Sequence, residues 1–394
     1  MNDFIKEFII DGELIINKIQ FNELNSKYSV DEIKDCITKH ILNGDIKFPY
    51  YNISYDECFE EFKKLCKTEL IKLLKGNCYT KVKYKSKLSD LYLESGTIGN
   101  KASNYFHEKN RFEVRVDRFP SPTNIWKRES SIKSILNPIW TLKIGKIDSK
   151  VLRTCISVRA YVASQFKPII AKSIYSMFNA KRVLDTSSGW GDRLCGFFAT
   201  DGTEEYVGVD PNSSLQNGYL EQIKMYQKIY PNKNAQVICD GAEFVDFSKF
   251  GKFDFIFTSP PYFNCEKYSQ DEKQSYKLYK SSDSWLNNFL FVWIKNAWKS
   301  LENNGHMVIN ISDIYAFKED SSYKKSDLIS ICDPMVDYVV NELGGSYIGE
   351  FGMRLSQRPN MTSLKDEEKK MVYFLNHVGY FIKVINLKLQ INIL

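Results

Sequence analysis

The residues with the clearest chemical potential are Thr-Ser-Pro-Pro-Tyr at 258–262, which follow an apolar run beginning at Phe253. Because proline has no backbone N–H, two consecutive prolines end a central strand and hold their neighbours rigidly. Ser259 would then present a hydroxyl oxygen, Pro260 a free carbonyl and Tyr262 an aromatic face. Two acceptors could bind both hydrogens of an exocyclic amino group while the ring stacks on a base, a contact that contributes ~1–3 kcal/mol. A plain proline turn beside a core tyrosine is the alternative interpretation.

Three strand-like segments before this turn each end in an aspartate, at Asp185, Asp210 and Asp240. Gly189 and Gly191 follow the first segment, and glycine lets a backbone reach positive φ and approach a ligand closely. In doubly wound sheets, ligands bind outside the carboxyl ends of the strands, and an acid after the second strand accepts hydrogen bonds from a ribose. The three strand ends therefore predict a nucleoside-like ligand. The glycine turn alone is also typical of an ordinary strand-to-helix connection.

The elements that must position these residues alternate between strand-like and helix-like patterns after residue 150, which is typical of a parallel α/β sheet. We predict strands at 182–187, 206–210, 235–240, 253–259, 306–312, 346–353 and 370–376. We predict that one helix ends at 171–178 and that another runs through 194–199. We predict further helices at 215–230, 283–301 and 326–343. These elements would bring the strand ends to one edge of the sheet.

The segment before residue 150 has irregular apolar stretches and clustered basic residues. As a strand, YTKVKYKSKL (79–88) would place Lys81, Lys83, Lys85 and Lys87 on one side. A lysine row interleaved with tyrosine suits a phosphate backbone, although a solvated row that protects a sheet edge is the alternative. We predict three regions: an N-terminal substrate-recognition or clamp region at 1–150, the main α/β domain at 151–380 and a tail at 381–394.

The composition predicts a folded protein without a membrane segment. The 394 residues are 43% hydrophobic and 14% aromatic, which suits packed cores, and the formal charge of +6 permits a polyanionic partner. No apolar run reaches the ~20 residues of a membrane span, and acids interrupt the apolar N-terminus. The nine cysteines and four histidines lack metal-ligand or disulfide-framework spacing, so we expect reduced thiols, no metal site and a cytoplasmic location.

The order of these motifs resembles that of the amino-methyltransferases that use S-adenosylmethionine. Within them, the chain is similar to DNA methyltransferases encoded by phages and large DNA viruses, over about residues 155–315. TSPPY is the most specific element, the glycine turn is less specific, and the first strand departs from the frequent Asp-Pro pattern. The resemblance implies an α/β fold, with a Rossmann-like seven-stranded methyltransferase sheet preceded by a smaller α+β N-terminal domain, and the host cytoplasm for a phage or viral protein.

The resemblance also implies S-adenosylmethionine as cofactor and a role for each matching position. It implies that the methionine part of the cofactor is held by Asp185, Ser187, Gly189 and Gly191. The ribose hydroxyls would bind Asp210, and the adenine ring would face Asp240 and Ala242. The segment that closes over the methionine end would be Phe166, Lys167 and Pro168. The residues implied to form the catalytic loop are Ser259, Pro260, Pro261 and Tyr262. Phe263 would support the base from beside the loop. Asn264 and Glu266 could read the base edge or lie in a polar surface loop.

The function that these expectations favour is DNA methylation at an exocyclic amine, with N6 of adenine favoured over N4 of cytosine. The flipped or unpaired base would enter the cleft, because a base inside a duplex cannot reach such a pocket. An RNA or protein-glutamine amino-methyltransferase is one alternative. A non-catalytic nucleic-acid-binding subunit that has the same fold is another.

Overall fold

The computed structural model describes residues 3–75, 78–79, 91–94, 96–116, 120–316, 324–325, 327–354 and 373–382. The chain divides into two compact units. The first, called the helical unit, comprises 1–53, 108–164 and 266–269; the second, called the sheet unit, comprises 54–107, 165–265 and 270–394. Residues 54–107 therefore belong with the sheet. The predicted assignment of recognition to 1–150 and catalysis to 151–380 concerns roles, and it stays a prediction.

Five of the longer described α-helices begin at a side-chain cap or a proline, which satisfies or removes backbone N–H groups left free at a helix N-terminus. The longer helices run, in chain order, over Lys18–Lys27, Val30–Leu42, Tyr55–Lys67, Asn100–Phe112, Glu129–Thr141, Ser149–Arg159, Pro168–Met177, Asp192–Ala199, Gln216–Tyr226 and Phe291–Ser300. Asn17, Ser29 and Ser54 each form a capping box with the third residue of their helix. Among the described helices, none combines the length and the apolar character needed to cross a bilayer.

The helical unit has its own apolar core, in which Ile37, Leu136 and Ile139 are fully buried. Its described strands are a two-residue hairpin, Ile9–Ile10 with Glu13–Leu14. Helix Val30–Leu42 packs against helix Glu129–Thr141. Helices with apolar residues at helical spacing surround this core. The unit is therefore mainly α-helical.

The sheet unit contains a ten-stranded sheet in the described part of the chain. We label its main strands β1 (Arg182–Asp185), β2 (Glu205–Val209), β3 (Asn234–Ile238), β4 (Phe253–Thr258), β5 (Leu301–Asn310), β6 (Ser346–Arg354) and β7 (Tyr373–Ile382). Five of them are parallel, in the spatial order β3-β2-β1-β4-β5. β7 is antiparallel to both β5 and β6, and Leu73–Lys75, Cys78–Tyr79 and Leu91–Leu93 add short strands. The predicted α/β fold with a Rossmann-like sheet is confirmed.

The strand order predicts a cleft at one edge of the sheet. The chain leaves β1 towards β2 and β3 on one side and returns to β4 and β5 on the other. Ligands of open α/β sheets bind where the order reverses, outside the carboxyl ends of the strands. The hydroxyl of Thr186, just past β1, and that of Thr258, the last residue of β4, meet at 3.2 Å. The predicted glycine turn and proline turn therefore flank the same reversal point.

Several predicted elements have different bounds in the structure; the strand predicted at 306–312, for example, is described over Leu301–Asn310. The helix predicted at 326–343 starts only at Cys332, because Leu328–Ile329 pairs as a short strand with Ile314–Tyr315. The Asp313 carboxylate accepts the N–H groups of Ile331 and Cys332, at 2.8 Å each, and so fixes the start of this helix. The last strand, predicted at 370–376, is described over Tyr373–Ile382.

Candidate active site

Asp185 ends β1 as a completely buried carboxylate. Its Oδ2 accepts the Arg193 Nε–H at 2.8 Å and the Tyr206 hydroxyl at 2.7 Å. Its Oδ1 accepts Arg193 Nη2 and the Ser187 N–H, both at 3.2 Å. Since each oxygen already has two donors, these contacts favour a role for Asp185 in holding the turn rather than in touching a ligand directly.

Arg193 is the charged partner of Asp185, and the sequence motifs assigned it no role. Its guanidinium also donates to the Ser187 carbonyl oxygen and lies 5.4 Å from the centre of the Phe166 ring. Phe166 in turn meets Phe257 of β4 edge to face at 5.6 Å. Burial by itself lowers the pKa of the Arg193 guanidinium, but the neighbouring Asp185 carboxylate outweighs burial and leaves that pKa above its usual range. The charge is therefore permanent, and it ties the glycine turn to the segment beginning at Phe166.

Different structural constraints act on the two glycines of the turn, Gly189 and Gly191. Both have positive φ, 58° at Gly189 and 68° at Gly191. A Cβ on Gly191 would lie 2.8 Å from Gln222 Nε2 and closer still to its Oε1, whereas one on Gly189 would meet only the Ser187 carbonyl oxygen, at 3.8 Å. Gly191 is thus required by packing, whereas the space beside the Cα of Gly189 is open.

This difference predicts unequal costs for two matched substitutions. We expect Gly191→Ala to lower the free energy of unfolding by roughly 2–5 kcal/mol, since positive φ and overlap with Gln222 both oppose the methyl group. Gly189→Ala carries only the φ cost, about 1–2 kcal/mol. Urea unfolding of both variants measures the difference. Equal losses would contradict the role assigned to Gln222.

Asp210 follows β2 and is 8% exposed. Its Oδ2 accepts the Gly189 N–H and its Oδ1 accepts the Asn212 N–H, both at 2.9 Å. Burial raises the pKa of Asp210 to about 6, although these two N–H groups act in the opposite direction. Because folding raises this pKa, the ionised carboxylate costs stability above about pH 6.

Asp240 and Ala242 lie past the end of β3. The half-buried Asp240 accepts the Gly241 N–H at 2.7 Å and pairs with Lys273 at 2.8 Å, and Ala242 is buried. Phe244 beside them is 55% exposed, with the Lys273 ammonium 6.0 Å from its ring centre. The region therefore offers a carboxylate, a small residue and an exposed ring at the third strand end.

The proline turn begins directly after β4. Ser259 is half-buried, and its Oγ accepts Asn310 Nδ2 at 2.9 Å. Pro260 is buried and Pro261 is half-buried. Tyr262 is half-buried, and its hydroxyl donates to the Asn310 backbone carbonyl at 3.4 Å. Asn310, at the end of β5, thus contacts residues at both ends of the turn.

The remaining predicted residues separate into four cases. Phe263 is 2% exposed at a φ of 51° and packs edge-on against Trp285, so its ring supports the turn from within the core. Asn264 is half-buried just past the turn. Lys167 and Pro168 begin the helix Pro168–Met177, with Lys167 at the N-cap position. The lysine row of Lys81, Lys83, Lys85 and Lys87 lies outside the described residues.

A separate group in the helical unit combines residue types that bind metals. Ligand atoms of Asp3, Cys36 and His40 lie within 4.8 Å of one another. His40 Nε2 contacts Asp3 at 2.5 Å and its Nδ1 contacts Asp45 at 2.7 Å. Because both ring nitrogens already bond carboxylates, hydrogen bonding accounts for this cluster, and we assign no metal to it.

Comparison with known proteins supplies one informative match. Residues 253–381 match the N6/N4 methyltransferase family model, which is described as DNA methylase. This segment begins with β4, and it contains the proline turn, β5, β6 and all but the last residue of β7. No curated protein matches the chain.

Solved structures of several methyltransferases are similar to this chain at low sequence identity. An rRNA methylase from Streptococcus thermophilus is 12% identical over 56% of this chain and 99% of its own, with a TM-score of 0.32. An S-adenosylmethionine-dependent O-methyltransferase from Thermotoga maritima is 11% identical over 65% and 73%, with a TM-score of 0.33. TrmN from Thermus thermophilus is 12% identical over 55% and 49%, with a TM-score of 0.32. Values this low carry no inference about the substrate.

Proposed function

We propose that this chain, whose residues 253–381 match the N6/N4 family model described as DNA methylase, methylates an exocyclic amine of DNA with S-adenosylmethionine. The observation that carries the proposal is the turn after β4, where the Ser259 hydroxyl and the half-buried Tyr262 ring flank Pro260. Because the turn follows a central parallel strand, it borders the cleft of an α/β sheet. N6 of adenine is the favoured target and N4 of cytosine the second.

The described residues fit S-adenosylmethionine at the carboxyl ends of β1 to β3. The open side of Gly189 allows a ligand to approach the backbone. Each Asp210 oxygen accepts one backbone N–H and keeps a lone pair for a ribose hydroxyl. S-adenosylmethionine supplies an activated methyl group on a positively charged sulfur. The residues that would hold it are Phe166, Lys167, Pro168, Ser187, Gly189, Gly191, Asp210, Asp240 and Ala242, with Asp185 fixing the turn.

The proline turn would bind and orient the amine. Ser259 Oγ and the Pro260 carbonyl would each accept one of its hydrogens, which directs the nitrogen lone pair towards the methyl group. Holding the two reactants in line removes much of the entropic barrier, and the two oxygens stabilise positive charge as it grows on nitrogen. Tyr262 would stack on the flipped base. The lysine row between Lys81 and Lys87 would contact DNA phosphates. Substrate recognition would then lie in the predicted N-terminal region, 1–150.

Transfer of labelled methyl groups tests this function. The protein is incubated with methyl-labelled S-adenosylmethionine and, in parallel, duplex DNA, single-stranded DNA, single-stranded RNA and a protein mixture. We expect label in DNA, and nucleoside mass spectrometry then identifies N6-methyladenine or N4-methylcytosine. Label confined to RNA or to glutamine would replace DNA as the substrate. Label in no substrate, from folded protein that binds S-adenosylmethionine, would support a non-catalytic subunit.

The raised pKa of Asp210 predicts how cofactor binding depends on pH. We expect the affinity for S-adenosylmethionine to fall as the pH drops through about 6, because protonation removes the negative charge of the acceptor and turns one of its oxygens into a donor. Asp210→Asn should bind weakly and without this step. Titration calorimetry from about pH 5 to about pH 8 measures both proteins. A wild-type affinity that follows the Asp210→Asn profile would contradict the assignment.

A further inference from the structure

Asn310 is a polar residue in an otherwise apolar strand end. Met307, Val308 and Ile309 before it and Ile311 after it are completely buried, and Asn310 itself is 3% exposed. β5 pairs in parallel with β4, with Ile309 opposite Thr258. This register sets Asn310 beside Ser259, where the proline turn begins.

Two contacts join Asn310 to that turn. The side-chain Nδ2 donates to Ser259 Oγ at 2.9 Å, and the backbone carbonyl accepts the Tyr262 hydroxyl at 3.4 Å. The first contact occupies one lone pair of the serine oxygen, so it fixes both the rotamer of Ser259 and the direction of its remaining lone pair and O–H. Asn310 therefore governs how this oxygen faces the cleft.

The oxygen of the same amide lacks the hydrogen bond that the nitrogen makes. Asn310 Oδ1 is buried and has no hydrogen-bond partner among the described residues. A buried polar atom without a partner costs free energy, and most are satisfied in native proteins. An apolar side chain of similar size would fill the space at lower cost. The amide is therefore not explained by the stability of the strand, which leaves its contact with Ser259 as the reason for it.

We propose that Asn310 is a positioning residue for methyl transfer, which holds the Ser259 hydroxyl in the one orientation that accepts the target amine. This inference rests on the proposed function. Asn310 acts through Ser259 and does not itself bind the substrate. The strand end thus gives up some stability to keep a catalytic oxygen aligned.

The kinetic test uses Asn310→Leu, Ser259→Ala and the double variant in full-length protein. We expect Asn310→Leu to lower kcat for DNA methylation about 10-fold while KM and the Kd for S-adenosylmethionine change less than about twofold. Its Tm should equal or exceed that of the wild type. The double variant should be no slower than Ser259→Ala, because the amide has nothing left to position. Ile311→Val is the packing control, and it should lower Tm without lowering kcat.

Each result decides the matter. An unchanged kcat in Asn310→Leu, or losses that multiply in the double variant, would overturn positioning through Ser259. Crystal structures of the wild type and Asn310→Leu give a readout independent of activity. Ser259 should occupy one rotamer in the first and several in the second, and the same single rotamer in both would overturn the inference. A wild type that methylates no substrate would defeat the proposed function, and the rotamers would still decide whether Asn310 fixes Ser259.

Discussion

We expect Ser259→Ala to lower kcat for DNA methylation by about 100-fold and to leave the Kd for S-adenosylmethionine within about twofold. The Ser259 oxygen follows β4 and is held by Asn310 at 2.9 Å, where it would meet the amino group. Because the proposed role of this oxygen is to stabilise charge that grows on nitrogen during transfer, its loss should affect the chemical step more than cofactor binding. The Pro260 carbonyl remains in the variant, so a residual rate is expected. Single-turnover methylation gives the rate, and calorimetry gives the Kd.

Ser248→Ala is a matched control for this experiment. Ser248 is an exposed serine whose Oγ donates to Asp246 at 2.6 Å, in a segment apart from the cleft residues. Both its kcat and its Kd should equal those of the wild type. A loss of cofactor affinity in Ser259→Ala as large as the loss of rate would assign the hydroxyl to cofactor binding. An unchanged rate would remove Ser259 from the reaction.

The strand ends were predictable because local chemistry marks them. β1, β2 and β4 are short apolar runs, and an aspartate or a proline pair stops each one. Parallel strands buried on both faces produce such runs, and their carboxyl ends necessarily meet at one edge. A single sequence therefore sufficed to bring Asp210 and the proline turn to the same cleft.

Contacts between residues distant in sequence explain what the patterns did not reveal. The start of the helix at Cys332 depends on Asp313, nineteen residues earlier, so helical spacing alone extended that helix too far. Gln222 excludes a side chain at Gly191 from thirty-one residues away. Asn310 interrupts a buried run by one amide, and that interruption was a signal that the sequence offered. Its meaning depends on the register of β5 against β4, which the patterns do not specify.

The buried ion pair at the end of β1 leads to the largest expected loss of stability. We expect Asp185→Asn to lower the free energy of unfolding by roughly 3–5 kcal/mol, because Arg193 would keep its charge without a carboxylate partner. The side chains of Arg193 and Asp185 are 5% and 0% exposed, and their Nε and Oδ2 atoms are 2.8 Å apart. Water cannot compensate for the lost charge at such burial. Urea unfolding followed by circular dichroism measures the loss.

The same strand supplies a control that separates burial from charge pairing. Arg182 at the start of β1 pairs with Glu205 of β2 at 2.6 Å, with side chains 34% and 30% exposed. Glu205→Gln should cost less than about 1 kcal/mol, since water solvates the remaining guanidinium. If the two variants lose equal stability, the Arg193 charge must reach solvent in the Asp185→Asn variant. The turn around Gly189 would then be held by its backbone contacts with Asp210 rather than by the ion pair.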